Sequence, residues 1–374
     1  MRYRFHSHRC SIRPLGRWKV DTKSLYLRVR KENGEDLRRV LLELELLATD
    51  LKIGSSGKDL LMPLVRQPND RESHELKRLS GVLQTGETTF QPRIRTRTLL
   101  DILGEKLPPH VLAGIPKSLD IVGHVAIVEM TPQLESYGTV IGQAILNVNK
   151  NVRTVLAKAS QIGTQYRIRE FEVLAGEDRT ETIHNEHGCR YLLDVRKVYF
   201  SARLGFEHDR VAKLVHDGET VIDMFAGVGP FSIPMAKNRQ SITVYAIDVN
   251  PEAVKYLQKN VRLNKVEGKV MPLLGDCRHV VQQKLRGISD RVVMNLPAQS
   301  FDYLDVACDA IKSAGGAIHL YTFSSEAPPF EALQKSLKES IESRGRTLKT
   351  ISGIRIVKEV APYRFQVAVD AIVV

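Results

Sequence analysis

The fold is decided by the stretch VIDMFAGVGPF at residues 221–231. A short apolar run reaches Asp223, a glycine-rich turn follows, and the residues after the turn have the apolar spacing of a helix. Glycine has no Cβ, so Gly227 and Gly229 permit a positive φ and a close approach of the backbone to a ligand. The stretch therefore predicts a strand that leads through a tight loop into a helix, with a binding site at the loop.

A second apolar run, residues 244–247, ends at Asp248. An acid at the end of the second strand is where nucleotide-binding α/β folds hold ribose hydroxyls. The alternative is that Asp248 caps the helix that begins at Pro251, because aspartate is a good N-cap and proline suits the first helical turn.

A third apolar run, residues 291–294, ends in Asn295-Leu296-Pro297. By itself this tripeptide is equally typical of a turn. Taken together, however, three strand ends follow one another at strand–helix intervals and carry an acid, an acid and an Asn-x-Pro sequence. We interpret the combination as an adenosine-type cofactor site and predict an S-adenosylmethionine-dependent methyltransferase.

Length, composition and charge limit the class of protein to which this chain can belong. The 374 residues, 43% of them hydrophobic and 26% charged, indicate a globular protein of two or three domains. The net charge of +12 and the isoelectric point near 9.5 favour a polyanionic partner, for which the phosphate backbone of a nucleic acid is the usual candidate. The alternative is that the charge serves only solubility. No run approaches the length of a membrane span, so we expect no membrane partner.

The four cysteines, Cys10, Cys189, Cys277 and Cys308, are scattered and form neither a C-x-x-C motif nor a Cys/His metal spacing. This distribution is typical of a reducing cytoplasm and argues against a structural zinc. We therefore predict a cytoplasmic protein without a metal site.

Shifts in composition divide the chain into five predicted segments. They are a basic extension at 1–21, a small module at 22–65, a polar linker at 66–92, an α+β substrate domain at 93–198 and a methyltransferase domain at 199–374. The extension lacks the apolar core of a secretory signal. It fits a basic arm on nucleic acid, a disordered tail, or an extension created by an upstream start codon.

Apolar spacing predicts the elements of the first and middle segments. In the small module it predicts strands at 25–29 and 60–65 around a helix at 35–47. In the substrate domain it predicts helices at 99–103 and from 140, one buried strand at 121–128, and strands at 171–174 and 191–195 around a polar loop.

From Tyr199 onward, strands and helices alternate, which predicts a mostly parallel sheet covered on both faces. The last two β-rich runs, 351–360 and 365–374, are joined by four residues, too few for a crossover helix. They must pair as a hairpin, which gives a Rossmann-like class I methyltransferase sheet with an antiparallel final strand. The chain also lacks the G-x-G-x-x-G fingerprint of nicotinamide dinucleotide sites.

S-adenosylmethionine would place its methionine and ribose portion over Gly227 and Gly229. Asp248 would accept hydrogen bonds from the ribose hydroxyls, and Asp276 would bind the exocyclic amine of adenine unless it is only a turn acid. Asn295 would face the methyl acceptor. The predicted cofactor-binding residues are Tyr199, Phe200, Asp223, Phe225, Gly227, Gly229, Asp248, Asp276 and Asn295.

The order and the amino-acid sequences of these motifs resemble those of the archaeal and eukaryotic tRNA (guanine-N1) methyltransferases that act at tRNA position 37. The matching residues are 167–176, 193–207, 223–231, 247–251 and 295–297. The resemblance covers about residues 95–374, and the module at 22–65 looks like the small N-terminal domain with which the family recognises the outer corner of the tRNA. It implies tRNA as substrate and S-adenosylmethionine as cofactor. Nothing in the sequence, such as the signature of a knotted fold, demands a dimer, so we expect a monomer that needs no protein partner.

The resemblance also implies roles for particular residues. The N1 of guanine carries a proton, and the carboxylate that the family places for its removal matches Glu207. The alternative is that Glu207 is only a first-turn acid that favours the helix dipole. Arg167 is implied in contact with guanine O6 or phosphate, with Arg169 nearly equal to it. Asn295 and Pro297 complete the predicted catalytic set.

Two positions depart from the family pattern. Ala202 stands where the family usually has proline, and His208 stands where it usually has arginine directly after the glutamate. Arg210 is the nearest residue to supply the missing charge.

Three other functions compete with this interpretation of the sequence. An aminocarboxypropyl transferase of the wybutosine pathway has the same fold and tRNA target but attacks another carbon of the cofactor. An Asn-Pro-Pro-Tyr methyltransferase needs an aromatic residue where Ala298-Gln299 stands. A tRNA-binding protein without catalysis would not need Asp223, Asp248 and Glu207 together.

Overall fold

A computed structural model describes residues 21–80, 84–93, 98–116, 118–160, 163, 166, 168–325, 328 and 330–374. The chain forms two compact units, Met1–Arg97 and Thr98–Val374. Nearly all of the predicted basic extension, and the predicted catalytic Arg167, lie outside the described residues. In the described part of the chain, no helix is both long and apolar enough to cross a membrane.

The first unit contains an antiparallel sheet in the order β2-β3-β1-β4 with two helices. Its elements are β1 (Thr22–Arg30), α1 (Gly34–Glu43), β2 (Gly54–Ser56), β3 (Asp59–Leu64), α2 (Asp70–Ser80) and β4 (Gln84–Phe90). The predicted strands and helix of the small module are confirmed, with the helix ending at Glu43. They enclose a core that includes Leu27, Leu37 and Met62.

The prediction that residues 66–92 form a linker is wrong, because this segment contains α2 and β4. β4 pairs with β1 along its whole length and so completes the sheet. The segment gave no hydrophobic signal because α2 buries only Leu76 and because β4 is an edge strand in which only Phe90 is buried. Backbone pairing, which is independent of side-chain polarity, holds the strand in place.

The second unit begins with a four-stranded sheet and a separate hairpin. The elements are α3 (Leu99–Gly104), α4 (Pro109–Leu112), β5 (Asp120–Val122), β6 (Val125–Val128), α5 (Gly138–Val148), β7 (Thr154–Lys158), β8 (Phe171–Gly176), β9 (Glu181–Glu186) and β10 (Cys189–Asp194). The sheet has the order β5-β6-β7-β8, in which only the β6–β7 pair is parallel.

Two predictions for this region need correction. Residues 121–128 form two antiparallel strands, because Gly123 adopts a φ of +58° and turns the chain between them. The loop predicted before residue 191 contains β9, whose polar sequence hid a strand that pairs with β10 through a turn at His187 and Gly188. Both turn residues have positive φ, as a tight hairpin requires.

The rest of the second unit is the predicted Rossmann-like sheet. Its elements are α6 (Gly205–Leu214), β11 (Thr220–Asp223), α7 (Ser232–Asn238), β12 (Thr243–Asp248), α8 (Pro251–Leu263), β13 (Val270–Leu274), α9 (Cys277–Val280), β14 (Arg291–Met294), α10 (Leu304–Ala310), β15 (Gly316–Ser324), α11 (Glu331–Glu342), β16 (Leu348–Ala361) and β17 (Arg364–Val373). Short 3-10 turns lie at Lys31–Asn33, Pro132–Tyr137, Ala202–Leu204 and Ser300–Tyr303, and a π-helical turn lies at Val281–Leu285.

The seven strands have the order β13-β12-β11-β14-β15-β17-β16. The first five are parallel, and β17 runs antiparallel to both β15 and β16. The predicted fold class and the terminal hairpin are therefore confirmed. The sheet order reverses beside β11, so the carboxyl ends of β11, β12 and β14 meet at one crevice.

The β9–β10 hairpin joins the two halves of this unit. Asn260 of α8 accepts a hydrogen bond from the Leu192 N–H at 2.7 Å and donates to the Leu192 carbonyl at 3.0 Å. Asn264, one turn later, makes the same pair of bonds with Arg190 at 2.9 and 2.7 Å. Asn260 in α8 and Asn264 at its C-cap thus pair with the backbone of β10 as a neighbouring strand would, and they fix β10 against α8.

Candidate active site

A cavity of about 510 Å³ lies at the carboxyl ends of β11, β12, β13 and β14. It falls within the range of small-molecule sites. Of the predicted cofactor-binding residues, the structure brings Tyr199, Phe200, Phe225, Gly227, Asp248, Asp276 and Asn295 into its wall. Asp223 and Gly229 do not line it.

The two loop positions require glycine for different physical reasons. Gly227 has a φ of +54°, and a Cβ added there would meet only the Tyr199 carbonyl oxygen, at 3.8 Å. Its face is open toward the cavity. Gly229 has a φ of +95°, and its Cβ would lie 2.6 Å from Leu257 and 2.8 Å from Ile233. The second glycine therefore permits the packing of α7 and α8, whereas the first leaves room for a ligand.

Asp248 connects the loop to the next helix. Its Oδ2 accepts the Gly227 N–H at 2.7 Å, and its Oδ1 accepts the Asn250 N–H at 2.8 Å. Asn250, whose side chain accepts the Glu252 N–H at 3.0 Å, is the N-cap of α8. The alternative interpretation of Asp248 as the helix cap is therefore wrong. A carboxylate has lone pairs for further hydrogen bonds, so Asp248 retains acceptor capacity at the cavity.

Asp223 is completely buried beneath the loop. Its Oδ2 accepts a hydrogen bond from the Ser232 hydroxyl at 2.6 Å, at the start of α7. Burial raises the pKa of Asp223 to about 7, against the effect of the Ser232 hydrogen bond, and the charge of Asp248 adds to the rise. The residue supports the loop from below and has no place in the cavity wall.

Asp276 lines the cavity and also caps α9, where it accepts the Arg278 N–H at 2.8 Å. The capping contact is thus observed, whereas the predicted hydrogen bond to the adenine amine stays a prediction. Tyr303, which sequence reasoning missed, also lines the cavity and contacts Phe225 edge to face at 5.1 Å. The Arg278 guanidinium lies 4.4 Å from the Tyr303 ring. Tyr303 belongs to a 3-10 turn without a motif, so no local signal marks it.

Glu207 is in the first turn of α6, as expected, but its side chain is only 2% exposed and does not line the cavity. One oxygen, Oε2, accepts hydrogen bonds from the Tyr321 hydroxyl at 2.8 Å and from Arg210 Nε and Nη2 at 3.0 and 2.9 Å. Arg355 lies 3.5 Å from the same oxygen. The carboxylate thus occupies a buried ionic network beside the cavity.

This network extends to the far strands of the sheet. Asp370 of β17 accepts from Arg210 Nη1 at 2.8 Å and contacts His319 Nδ1 at 2.5 Å. Arg291 donates to the other ring nitrogen of His319 at 2.7 Å. Burial lowers the pKa of His319 despite its Asp370 partner. The ring is therefore neutral and carries its proton on Nδ1, where it donates to Asp370.

A second cavity, of about 290 Å³, adjoins the first and shares Tyr199, Phe200 and Ser201 with it. Pro297 lines the second cavity, whereas Asn295 lines the first. The Asn-Leu-Pro segment thus borders both. The second cavity contains the basic side chains of Lys158, Arg169, Arg203 and Lys358. Lys158 pairs with Glu129 at 3.0 Å, and Arg203 pairs with Asp120.

Comparison with known proteins identifies the relatives of this chain. The family model of the TRM5/TYW2 methyltransferase domain matches residues 182–348, that of the TYW2 N-terminal domain residues 99–180, and that of the tRNA methyltransferase 5 N-terminal domain residues 27–72. The tRNA (guanine(37)-N(1))-methyltransferase Trm5b of Pyrococcus abyssi is 39% identical over 347 residues, which span 93% of this chain and 98% of the relative.

The chain belongs to the TRM5 family of tRNA (guanine(37)-N(1))-methyltransferases. The crystal structure of Trm5b from Pyrococcus abyssi covers 94% of this chain and 99% of its own with a TM-score of 0.72 and 38% identity. The complex of aTrm5 with tRNALeu covers 93% and 99% with a TM-score of 0.67 and 34% identity. TYW2 of Pyrococcus horikoshii with MeSAdo covers 74% and 97%, with a TM-score of 0.61 and 30% identity. TRM5 relatives thus match more of the chain than this TYW2 relative does.

Proposed function

We propose that this protein transfers the methyl group of S-adenosylmethionine to N1 of guanosine at tRNA position 37. The observation that supports it most is the pair of adjoining cavities bordered by Asn295 and Pro297. One has the acids of a nucleoside-binding site, and the other has the basic side chains of a nucleic-acid site.

The residues of the first cavity fit the cofactor. Asp248 accepts hydrogen bonds from the ribose hydroxyls, and Asp276 accepts one from the adenine amine. Gly227 leaves the space that a side chain would fill. When bound, the cofactor supplies an electrophilic methyl group on a sulfonium. Tyr199, Phe200 and Phe225 form its apolar surroundings, while Asp223 and Gly229 hold the loop from behind.

The second cavity takes the target base and its phosphate. Arg169 is the described residue best suited to contact guanine O6 or phosphate, because its forked donors match either group. Arg167 shares this proposed role. Asn295 and Pro297 orient the base edge toward the first cavity. The base must leave its stack to enter, which costs on the order of a few kcal/mol.

Glu207 is the proposed general base. Its carboxylate does not line the cavity, so this role requires the side chain to move toward the cavity and accept the guanine N1 proton when tRNA binds. Such a base contributes about 10²–10⁴-fold to the rate. His208, the next residue of α6, does line the cavity.

Within this proposal, the first unit reads the outer corner of the tRNA, as the resemblance implies, while the second unit performs the transfer. The protein acts as a cytoplasmic monomer. Its strong positive charge attracts the tRNA backbone in a salt-dependent manner.

The test uses purified protein, labelled S-adenosylmethionine and two tRNA transcripts that carry guanosine or adenosine at position 37. We expect 1-methylguanosine from the first transcript alone, identified by mass spectrometry of the nucleosides. Transfer of an aminocarboxypropyl group instead would be seen in the product mass and would support the alternative, TYW2-like activity. Cofactor binding with no product from either transcript would contradict the proposed methylation of guanosine and would direct the search to wyosine-intermediate substrates or to aminocarboxypropyl transfer.

A further inference from the structure

The hairpin that joins β16 to β17 ends in a two-residue turn with an exposed aromatic side chain. Ala361 pairs with Arg364 across the hairpin, so Pro362 and Tyr363 form the turn. Tyr363 is 82% exposed, the largest exposed fraction among the large apolar residues that the structure describes. Packing in the core therefore does not explain the ring at this position.

The backbone of Tyr363 is also strained. Its φ is +57°, in a region that bulky residues seldom occupy, because the Cβ approaches the following carbonyl oxygen. Where proline is the second residue of a turn and the third has a positive φ, the third is usually glycine or asparagine. The Tyr363 N–H donates to Glu359 Oε1 at 3.3 Å, a bond that either of those residues could also make. A side chain that strains the backbone without adding to the core points to a role outside folding.

The turn lies beside the second cavity. Lys358 and Val360, both of β16, line that cavity. Tyr363 follows Val360 by three residues, so their Cα atoms are at most about 11 Å apart. The Arg364 guanidinium lies 4.8 Å from the centre of the Phe323 ring, and Phe323 lines the same cavity. The turn thus brings an aromatic ring and a basic side chain next to the proposed site of the target base.

A base that leaves its stack uncovers its neighbours. When the base at position 37 leaves the stack, the bases at positions 36 and 38 each lose the partner that covered one face. An aromatic side chain can cover such a face whatever the sequence, because every nucleobase has a π-face. The positive charge of Arg364 beside the ring suits the phosphates that accompany these bases.

We propose that Tyr363 stacks on a base that flanks position 37, at position 36 or 38, when the target base enters the second cavity. The inference rests on the proposed function and concerns a residue outside the predicted site. Tyr363 thus stabilises the complex with tRNA, although its conformation strains the turn.

Fluorescence anisotropy of the full chain with labelled tRNA tests this contact. Tyr363→Asn supplies a residue that tolerates the positive φ, and Tyr363→Phe is the matched control that keeps the ring. We expect Tyr363→Asn to raise the dissociation constant for tRNA by about 5- to 150-fold, the effect of losing one stacked base, and Tyr363→Phe to leave it within about twofold. The melting temperature of Tyr363→Asn should equal or exceed that of wild type, because the strain is relieved.

Two modified tRNAs identify the base, one with an abasic nucleotide at position 36 and the other with one at position 38. On one of them, wild type and Tyr363→Asn should bind equally, because the base that Tyr363 contacts is missing. On the other, the difference between the two proteins should persist.

A difference that persists on both modified tRNAs would overturn the inference, since Tyr363 would then contact neither flanking base. Equal binding of unmodified tRNA by wild type and Tyr363→Asn would overturn it as well, and so would a Tyr363→Phe variant that binds as weakly as Tyr363→Asn. The proposed function is judged separately, by whether the wild-type protein forms 1-methylguanosine on unmodified tRNA.

Discussion

At the scale of single residues, the position of Glu207 matters most for the proposed chemistry. Three donors from Tyr321 and Arg210 meet on one of its oxygens. A buried carboxylate with these partners stabilises the fold, and it can act in catalysis only if it moves into the cavity. The two functions can be separated experimentally because Tyr321 offers the hydroxyl but carries no charge at neutral pH, since burial raises its pKa well above the ordinary value.

We expect Glu207→Gln to reduce the single-turnover rate of methylation by about 10²–10⁴-fold, because the amide cannot take the N1 proton. The dissociation constant for S-adenosylmethionine should change little. Tyr321→Phe is the control, since it removes the resting partner and leaves the base in place; its rate should stay within a few-fold of wild type. A Tyr321→Phe variant as slow as Glu207→Gln would indicate that Glu207 is a structural anchor.

Asp223 leads to a prediction about pH. Its pKa rises from 3.8 to about 7 through burial, so between these values the folded protein holds a proton that the unfolded chain has lost. Stability therefore falls as the pH rises through this window. Asp223→Asn removes the titration, so the free energy of unfolding of the variant relative to wild type should increase by on the order of 2 kcal/mol from about pH 5 to about pH 8.

Urea unfolding followed by circular dichroism at the two pH values measures this difference. Asp302→Asn, an exposed acid of the same unit, is the control and should show no such change relative to wild type. If the pH dependence of Asp223→Asn equals that of wild type, the buried carboxyl is not protonated in the folded state.

At the scale of elements, the loop between β11 and α7 separates binding from packing. Gly227 and Gly229 both have positive φ, but only the first faces the cavity. The second approaches α8 so closely that any Cβ must displace Leu257 or Ile233. Within one glycine-rich motif, Gly227 thus leaves space for a ligand and Gly229 permits close helix packing.

We expect Gly229→Ala to destabilise the protein by about 1–3 kcal/mol, from the collision and from the strained φ together. Gly227→Ala should cost only the strain, about 1 kcal/mol, and should weaken S-adenosylmethionine more than Gly229→Ala does. Thermal unfolding and cofactor titration of the two variants make the comparison. A larger stability loss in Gly227→Ala than in Gly229→Ala would contradict this division.

At the scale of the whole molecule, charge and topology act together. The chain carries a net charge of +12, and the sheet order brings its cofactor acids to one crevice while basic side chains collect in the adjoining cavity. Residues 98–198 contribute to this second cavity, and their core is continuous with that of the methyltransferase sheet, since Val122, Val125 and Leu156 pack in one cluster with Val211 and Val221. The two halves of the second unit therefore form the second cavity jointly.

The affinity for tRNA should fall steeply with salt, because bound phosphates release counterions. We expect Arg169→Ala to reduce the slope of log K against log salt by about one if it contacts a phosphate. Arg286 lies before β14 and pairs with Asp309. Arg286→Ala is therefore the control, and it should leave the slope unchanged. Fluorescence anisotropy with labelled tRNA over a salt series measures both. Equal slopes for all three proteins would place Arg169 away from the backbone.

Much of the fold could be predicted because its signals are local. The apolar run before Asp223, the glycines after it and the strand-end residues Asp248 and Asn295 each occupy positions that the strand–helix repeat sets. Parallel strands then bring their carboxyl ends to the same edge of the sheet, whatever the conformation of the loops between them. The short connection before β17 likewise left only a hairpin. Strands β4 and β9 escaped prediction because they bury few side chains and are held by backbone pairing.

The sequence by itself determined the Rossmann-like sheet and the residues at the strand ends, because these follow from local periodicity and motif spacing, and the resemblance of its motifs indicated the family. Only the tertiary structure decided which of those residues reach the cavity. It buried Asp223 under Ser232, turned Gly229 toward α8, and placed Glu207 among Tyr321 and Arg210. Such contacts join residues far apart in the chain, and the distances between them depend on how the helices and strands pack, which no local pattern encodes.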